Sequence, residues 1–486
     1  MDWNFSQIVN LFSNDKSRLL LEGKWGIEKE SQRVTPLGDL VSTSHPPAFG
    51  NKLENPHITT DFSESQIELS TSPFQSVEEA YVHLRKLQLE VEKEIGEELL
   101  WPLSMPPKLP AEDEIPIARY GDSFRAKENE IYRFGLALRY GKKRQMVSGI
   151  HYNFSFGDEM IDYLHELFGN GKGKQVFSDE LYFSLSRNFL RYRWLLIYLF
   201  GASPSIDSTY YSVICDEFKI IDKCFPEFCS PIRTYEQYAT SLRVSRLGYS
   251  SSLQGTNGAF YNSLEQYVKG IRRLMNTKSK KFKELGLYQN GRQIQINDNI
   301  LQKESEFYSA IRLKQNTKNN KSHLEELEKR GVEYAEVRIL DLNPFQKTGI
   351  SLSQLYFLQV FLLFCLFEQS TYFDEHEWEK VNKNHHLVSL IGRKKTLMLH
   401  RYNKSHVFLK DWAEEIFMNK LKFIASIMDL ADRGNKYQDS VDHQYKKLLN
   451  PSLLPSSLIC KEMEERKESF IDFGLRKAAF HKNMIE

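Results

Sequence analysis

One alternating stretch in the second half of the chain limits the fold more than any other feature. In residues 334–339, YAEVRI, small or apolar side chains alternate with polar ones. This period of two is typical of a β-strand with one buried face. The apolar side chains are therefore predicted to face a core, and Glu336 and Arg338 to share the opposite face. For one strand alone, an ordinary solvated face is the simpler interpretation.

Three further stretches repeat the alternation, which favours a functional face. They are residues 26–33 (GIEKESQR), 65–71 (SQIELST) and 149–156 (GIHYNFSF). A fifth run, residues 292–299, has a neutral polar side formed by Gln293, Gln295 and Asn297. The polar faces contain few lysines or threonines, which a merely solvated face usually includes. Instead they present Glu28, Glu30, Glu68, His151, Asn153 and Glu336.

The carboxylates converge if these strands form one antiparallel sheet. Two carboxylates about 4 Å apart repel by roughly 4 kcal/mol at an effective dielectric constant near 20. A face with several of them therefore needs cations. Oxygen ligands with one imidazole and no cysteine favour Mg²⁺ or Mn²⁺ over zinc.

The composition indicates a globular protein without a nucleic-acid or membrane-surface partner. The chain has 486 residues, of which 41% are hydrophobic and 27% charged, and its formal net charge is +1. Strand-rich sequence gives way to helix-rich sequence near residue 350. We predict an α+β fold with a catalytic domain over residues 1–370. Residues 371–486 are predicted to form a helical portion packed on the same domain.

The cysteines and apolar segments favour a cytoplasmic protein. The five cysteines include no CxxC pair, as expected of reduced thiols. The N-terminal sequence lacks the pattern of a signal peptide. The most apolar stretch, Leu355–Phe367, is too short to span a bilayer and is predicted to be a buried helix.

Helical periodicity and capping residues predict the main helices. Ser76 precedes a helix in a capping-box spacing with Glu79, and Ser178 is expected to cap another helix. His385 and His386 lie in a basic segment and are predicted to be at the surface. The predicted helices are Ser76–Leu99, Glu128–Tyr140, Ser178–Phe200, Ser263–Met275, Ser353–Glu368, Lys410–Arg433 and Glu462–Lys482.

A set of motifs in a fixed order resembles a known family. The motifs are GIEKESQR, ITTDFSESQIELSTS, WPLSMP, SGIHYNFS, YLFGASP, YATSLRVSRLGY, QIQINDNILQ and EYAEVRILDLNPF. Together they resemble the bacterial glutamate–cysteine ligases (γ-glutamylcysteine synthetases) of the proteobacterial type. The resemblance is dense over residues 20–350, whereas residues after about 370 match the family pattern poorly.

This resemblance implies an activity and a fold. The family uses ATP to join the γ-carboxylate of glutamate to the amine of cysteine, the first step of glutathione synthesis. Its fold is similar to the glutamine synthetase catalytic domain, a curved antiparallel sheet (half-funnel) with helices outside. The resemblance also implies two or three Mg²⁺ ions, with Mn²⁺ as an alternative. We expect a monomer, whose partners are glutamate, cysteine and ATP.

The family's site residues transfer onto matching positions of this sequence. The implied metal ligands are Glu28, Glu30, Asp61, Glu68, His151 and Glu336, and among them Asp61 comes from the resemblance alone. Arg243 and Arg338 are the implied catalytic residues. The implied substrate-binding residues are Phe62, Tyr132, Arg133, Leu136, Gln145, Asn153, Tyr249 and Tyr308.

Three alternatives to a glutamate–cysteine ligase stay open at this point. A related carboxylate–amine ligase would use ammonia or another amino acid as the acceptor. A phosphagen-type kinase would share the broad fold. A non-catalytic binding protein would keep the fold without turnover.

Overall fold

The computed structural model describes residues 3–214, 237–248, 258–317, 322–401 and 404–484. Its strands begin and end as follows: β1 Gly23–Val34, β2 Ile58–Thr60, β3 Gln66–Ser70, β4 Leu99–Leu100, β5 Ile150–Phe156, β6 Tyr288–Gln289, β7 Arg292–Gln293, β8 Ile311–Lys314, β9 Tyr334–Leu340, β10 Met398–Arg401 and β11 Lys404–Phe408.

The main sheet is antiparallel and open. Its strand order is β2-β3-β1-β5-β9-β8, and β4 pairs with the end of β1. Every named pair in it runs antiparallel. Together with the surrounding helices this confirms the predicted α+β class.

The helices surround this sheet. They are α1 Phe5–Asn10, α2 Val77–Glu94, α3 Phe124–Tyr140, α4 Lys142–Gln145, α5 Asp158–Phe168, α6 Lys174–Phe200, α7 Leu264–Asn276, α8 Lys280–Glu284, α9 His323–Arg330, α10 Leu352–Phe367, α11 Glu375–Ile391, α12 Leu409–Ile416, α13 Lys422–Asp432, α14 Lys436–Leu449, α15 Pro455–Arg466 and α16 Phe470–Asn483. A single π-helical turn, Phe417–Leu421, joins α12 to α13.

The strand register brings the predicted polar faces together. Glu28 of β1 pairs with Ser70 on one side and His151 on the other. Glu30 pairs with Glu68, and Asn153 pairs with Glu336. Since side chains alternate across a strand, the carboxylates share one face of the sheet. The apolar side chains of the same strands lie in the core on the other face.

The fifth alternating run is where the strand prediction is wrong. Residues 292–293 form only a two-residue hairpin strand with β6, outside the main sheet. Gln295 is fully buried (0% exposed), the reverse of the predicted facing. Its amide accepts from Arg139 Nε at 2.8 Å and donates to the carbonyls of Phe282 and Gly286. These partners satisfy a polar side chain in the interior, which alternation alone does not anticipate.

Several helix predictions need correction at their ends. Helix α2 is capped by Ser76, which accepts from Glu79 N at 3.2 Å, but it ends at Glu94 and not at Leu99. Helix α6 begins at Lys174, so Ser178 lies inside it and is not its cap. The predicted helix Glu462–Lys482 is in fact two helices, α15 and α16.

The C-terminal helices pack on the sheet-bearing part of the chain. Glu377 of α11 receives two hydrogen bonds from Arg191 of α6, at 2.7 and 2.9 Å. His385, predicted at the surface, is 6% exposed because α11 also packs against the 244–246 segment, where Val244 O lies 2.6 Å from His385 Nε2. The division into residues 1–370 and 371–486 stays a prediction. Among the described residues, the helices are too short or too polar to cross a membrane.

Candidate functional site

The centre of the site is a cluster of two carboxylates and one imidazole. Glu28, His151 and Glu336 each offer a ligand atom, and these atoms lie within 4.8 Å of one another. His151 Nδ1 is 2.9 Å from Glu28 Oε2 and 3.6 Å from Glu336 Oε1. The three residues come from neighbouring strands β1, β5 and β9, so the register of the sheet produces the cluster.

Further carboxylates border this cluster. Glu30 Oε1 lies 3.8 Å from His151 Nε2, and its other oxygen accepts from Gly149 N at 3.0 Å. Glu68 stands opposite Glu30 on β3. Asp61 lies in the turn between β2 and β3, close enough to Glu30 and Glu68 to act on their charges.

The carboxylates of the site differ in how well their charges are compensated. Burial and the negative charges of Asp61, Glu28 and Glu30 raise the pKa of Glu68 well above its usual value. Burial and the charge of Asp61 also raise the pKa of Glu30. For both groups, burial and the neighbouring carboxylates outweigh the nearby guanidinium groups, which are Arg133 for Glu68 and Arg338 and Arg243 for Glu30.

Glu28 and Glu336 show the opposite behaviour. Burial is the largest influence on Glu28 and opposes its charge, but the interactions with His151 and Lys314 together outweigh it and lower the pKa of Glu28 below its usual value. Burial likewise opposes the charge of Glu336, yet Arg338 and Lys314 together hold its pKa well below the usual range. Both carboxylates are therefore ionised and ready to bind a cation.

The donor set fits a hard divalent cation. Glu336 is 2% exposed, and its buried Oε2 atom has no hydrogen-bond partner within the described part of the chain. A buried acceptor of this kind is uncommon unless a ligand completes it. Carboxylate oxygens with one imidazole are typical ligands for Mg²⁺ or Mn²⁺. The residues present thus fit the metal that the sequence suggests.

Two cationic side chains lie beside the cluster. Arg338 shares a strand face with Glu336 and donates to its Oε1 at 2.9 Å. Lys314 of β8 places its Nζ atom 3.8 Å from Glu336 Oε2. Sequence reasoning missed Lys314, although the alternation of IRLK in residues 311–314 is the signal that would have found it.

Arg243 reaches the site from outside the sheet. It is 7% exposed and donates from Nε to Asp341 Oδ1 at 2.8 Å. Its guanidinium passes over Gly149, where an added Cβ would lie 2.5 Å from Arg243 NH1. Glycine at this position therefore leaves room for the arginine beside Glu30.

A large cavity opens next to the cluster. Its volume is about 1610 Å³, and Glu28 and Asn153 form part of its wall. Tyr334 of β9 and Arg433, just after α13, also line it. Asn153 donates to Glu28 Oε1 at 2.9 Å, so the cavity wall and the carboxylate cluster are continuous. The space is ample for a nucleotide-sized ligand.

Comparison with known proteins identifies the family of this chain. The family model described as glutamate–cysteine ligase matches residues 8–388. A glutamate–cysteine ligase from Clostridium acetobutylicum is 52% identical over 480 residues, which cover 98% of this chain and 100% of that protein. This chain belongs to the glutamate–cysteine ligase family. The family model stops at residue 388, so the poor match expected after about residue 370 stays a prediction.

Further relatives and solved structures agree with the glutamate–cysteine ligase family. A glutamate–cysteine ligase from Pseudomonas putida is 40% identical over 463 residues, 95% of this chain and 86% of that protein. The structure of the Francisella tularensis glutamate–cysteine ligase, in complex with AMP, has a TM-score of 0.84 at 34% identity and covers 95% of this chain and 88% of that chain. A bifunctional glutathione synthetase from Pasteurella multocida has a TM-score of 0.75 at 29% identity and covers 97% of this chain and 54% of that chain.

The predicted substrate residues of this glutamate–cysteine ligase family member lie on several elements. Phe62, Leu136 and Gln145 are buried, with exposed fractions of 2%, 6% and 5%. Tyr132 and Arg133 are half-buried on α3. Arg133 Nε donates to the carbonyl of Asp61, which joins α3 to the turn that bears a predicted metal ligand.

The remaining tyrosines among the predicted substrate residues are Tyr308 and Tyr249. Tyr308 is half-buried just before β8, and the positive charges of Arg243 and Arg338 act on its hydroxyl. Tyr249 lies outside the described residues. The sequence also missed Asp341, which holds Arg243 and carries no periodic signal of its own.

Proposed function

We propose that this chain joins the γ-carboxylate of glutamate to the amine of cysteine at the expense of ATP, the first step of glutathione synthesis. The observation that carries the proposal is the Glu28, His151 and Glu336 cluster, which borders a nucleotide-sized cavity in a member of this family. The route is activation of the γ-carboxylate as γ-glutamyl phosphate, followed by attack of the cysteine amine.

The metal ligands in this proposal are the six carboxylate and imidazole residues around the cluster. Two or three Mg²⁺ ions, or Mn²⁺ in their place, would neutralise the phosphate charge of ATP when bound there. The raised pKa values of Glu30 and Glu68 support this assignment, because a bound cation would relieve the repulsion among these carboxylates. The proposed ligands are Glu28, Glu30, Asp61, Glu68, His151 and Glu336.

The cavity beside Glu28 is the proposed ATP site. The Francisella tularensis relative was solved with AMP, which supports a nucleotide in this fold. From the cavity, the γ-phosphoryl group of ATP faces the cluster. An oxygen of the glutamate γ-carboxylate attacks that phosphorus and ADP leaves, a transfer that depends on positioning and charge more than on covalent help.

The arginines take the anionic groups in this proposal. Arg338 beside Glu336 contacts the transferred phosphoryl oxygens, since a guanidinium donates two parallel hydrogen bonds. Arg243 holds the oxyanion that forms when the amine attacks the acyl phosphate, or the carboxylate of the acceptor. Its attachment to Asp341 fixes its direction before the substrate arrives.

The acceptor pocket in this proposal is formed by Phe62, Tyr132, Leu136, Gln145, Tyr249 and Tyr308. Arg133 and Asn153 are the other proposed substrate-binding residues, and Asn153 lines the proposed ATP cavity. The Gln145 Nε2 atom supports the acceptor pocket, because this buried atom has no hydrogen-bond partner among the residues that the structure describes. An apolar pocket separates a thiol from a methyl group only weakly. The enzyme should therefore also accept 2-aminobutyrate.

The proposed setting is a cytoplasmic monomer. Cys365 and Cys460 are free thiols, which suits a reducing compartment. Light scattering of the purified protein tests the monomer.

ADP release tests the proposed function. The purified chain is mixed with ATP, Mg²⁺ and glutamate, with and without cysteine. Sustained release that requires cysteine, with γ-glutamylcysteine as the product, supports the ligase. Stimulation by ammonia or another amine, but not by cysteine, would change the acceptor. Absence of release with every amine would leave a binding protein, and transfer to a guanidino substrate would indicate a kinase.

A further inference from the structure

The residues that follow the hairpin β6–β7 are attached to helix α3 at several points. Residues 302–308, which we name the strap, end at Tyr308 and lie against the side of α3 that bears Tyr132 and Leu136. Tyr132, Gly135 and Arg139 fall on neighbouring positions of this helix face, since residues three or four apart are adjacent. The strap and α3 thus form two facing sides of the proposed acceptor pocket.

Gln302 contacts two residues of α3, Tyr132 and Gly135. It is 3% exposed, and its Nε2 atom donates to the carbonyl of Tyr132 at 3.2 Å. Its Oε1 atom accepts from Ile296 N at 3.1 Å. The side chain lies directly on Gly135, where an added Cβ would be 2.0 Å from Gln302 Oε1. The glycine therefore allows the strap to approach the helix at the level of Tyr132.

Neighbouring strap residues also hold Tyr132. The Nζ atom of Lys303 lies 4.7 Å from the centre of the Tyr132 ring, a distance at which a cation is attracted to the ring face. The Ser305 side chain also lies near the Tyr132 hydroxyl. The ring and the main chain of Tyr132 are thus both set by the strap.

At the last turn of α3, a buried ion pair joins this helix to the strap. Glu306 is 1% exposed and accepts from Arg139 NH1 at 3.2 Å and from the Tyr140 hydroxyl at 2.7 Å. The backbone N–H of Gln302 donates to the other oxygen of Glu306 at 2.6 Å. One carboxylate thus ties the beginning of the strap to the last turn of α3.

We infer that Gln302 is a positioning residue for the amine acceptor, because it sets the separation between Tyr132 on α3 and Tyr308 on the strap. The inference rests on the proposed function, in which both tyrosines bind cysteine. Gln302 acts through these residues, since its side-chain hydrogen bonds go to Tyr132 and Ile296 and not to the metal cluster. Its loss should therefore affect cysteine more than the other two substrates.

The first test compares Gln302→Ala with Gln295→Ala. Gln295 is the control because it is also buried and hydrogen-bonded, but its amide bonds go to Arg139, at the other end of the interface, and to the carbonyls of Phe282 and Gly286. Gln302→Ala should raise the KM for cysteine about tenfold, the usual effect of one lost hydrogen bond. The KM values for ATP and glutamate should stay within about twofold. Gln295→Ala should lower Tm without this selective change.

A second test uses the contact with Gly135 and does not depend on the stability of one variant. Gly135→Ala should raise the KM for cysteine strongly, since the new methyl group displaces Gln302. In the Gln302→Ala background the same substitution should be nearly neutral, because the space is free and alanine favours a helix. Comparison of the two single variants with the double variant isolates the contact.

The outcomes separate this inference from the proposed function. An unaltered enzyme without cysteine-dependent ADP release would overturn the proposed function itself. An active unaltered enzyme in which Gln302→Ala resembles Gln295→Ala would overturn the positioning role alone. A Gly135→Ala effect of equal size in both backgrounds would also overturn it.

Discussion

The carboxylate of Asp341 holds Arg243 at the end of strand β9, with Arg243 Nε 2.8 Å from Asp341 Oδ1. The other carboxylate oxygen accepts from Ala202 N and Ser203 Oγ, each at 2.8 Å. Arg243 also passes over Gly149. Four sequence motifs that are far apart in the chain therefore meet at one arginine, beside the proposed reaction centre.

Asp341→Asn should lower kcat by about 10- to 100-fold, because a displaced guanidinium no longer aims at the developing oxyanion. It should also lower Tm, since Asp341 is 1% exposed and its loss leaves a buried arginine without its carboxylate. Asp429→Asn is the control, as Asp429 is 4% exposed and accepts from Tyr437 N and Gln438 N at the start of α14. Asp429→Asn should lower the stability but keep kcat. Equal kcat values in both variants would show that Arg243 has no role in the reaction.

Glu336→Ala should abolish ligation, by about 10³-fold or more, while the protein stays folded. The reason is that Glu336 is an ionised member of the cluster whose Oε2 atom, 3.8 Å from Lys314 Nζ, has no hydrogen-bond partner among the described residues. Steady-state ADP release and circular dichroism check the two parts. Glu377→Ala breaks a comparably buried pair with Arg191 away from the sheet and should remain active. Near-normal turnover of Glu336→Ala would exclude Glu336 from the metal site.

Arg338→Lys should also fail in turnover, because lysine does not reproduce a planar guanidinium with two parallel donors. The loss should appear mainly in kcat, since the contact forms with the transferred phosphoryl group. Steady-state kinetics with ATP and cysteine varied in turn measures the division between kcat and KM. Unchanged kinetics in this variant would make Arg338 only a structural partner of Glu336.

Glu68→Gln should stabilise the metal-free protein and weaken its response to Mg²⁺. Burial and three neighbouring carboxylates raise the pKa of Glu68, so removal of its charge relieves repulsion. Thermal unfolding in EDTA should give a higher Tm for the variant than for the unaltered protein. With Mg²⁺ added, the increase in Tm should be larger in the unaltered protein. A lower Tm in EDTA would show that the Glu68 charge is compensated.

The raised pKa of Glu68 makes the free energy of unfolding of the metal-free protein depend on pH. The folded protein binds the Glu68 proton more tightly than the unfolded chain, whose glutamates titrate near pH 4.3. The metal-free free energy of unfolding should therefore fall as pH rises from the unfolded value through the raised folded pKa. Glu68→Gln should lessen this fall. An identical slope in both proteins would contradict the raised pKa.

Periodicity was enough to predict most of the sheet face. Alternation placed Glu28, Glu30, Glu68, His151 and Glu336 on one side, and the strand register confirms their common face. This works because an antiparallel sheet converts a period of two directly into facing.

Alternation did not reveal the site residues that lie outside strands or in a very short strand. Asp61 lies in a turn, and Asp341 follows the end of β9, so neither has a periodic neighbour pattern. Lys314 belongs to a four-residue strand that is too short to stand out. Gln295 is buried although alternation places it on the polar side, because hydrogen bonds from Arg139 and to two carbonyls make a polar side chain stable in the interior.

The transfer of oxygen from glutamate into phosphate tests directly whether glutamate is activated as γ-glutamyl phosphate. Glutamate with ¹⁸O in its γ-carboxylate is turned over with ATP, Mg²⁺ and cysteine, and the released phosphate is analysed by mass spectrometry. Activation as γ-glutamyl phosphate predicts one ¹⁸O atom in each phosphate, because the attacking carboxylate oxygen leaves with it. Phosphate without the label, formed while γ-glutamylcysteine accumulates, would contradict the proposed activation.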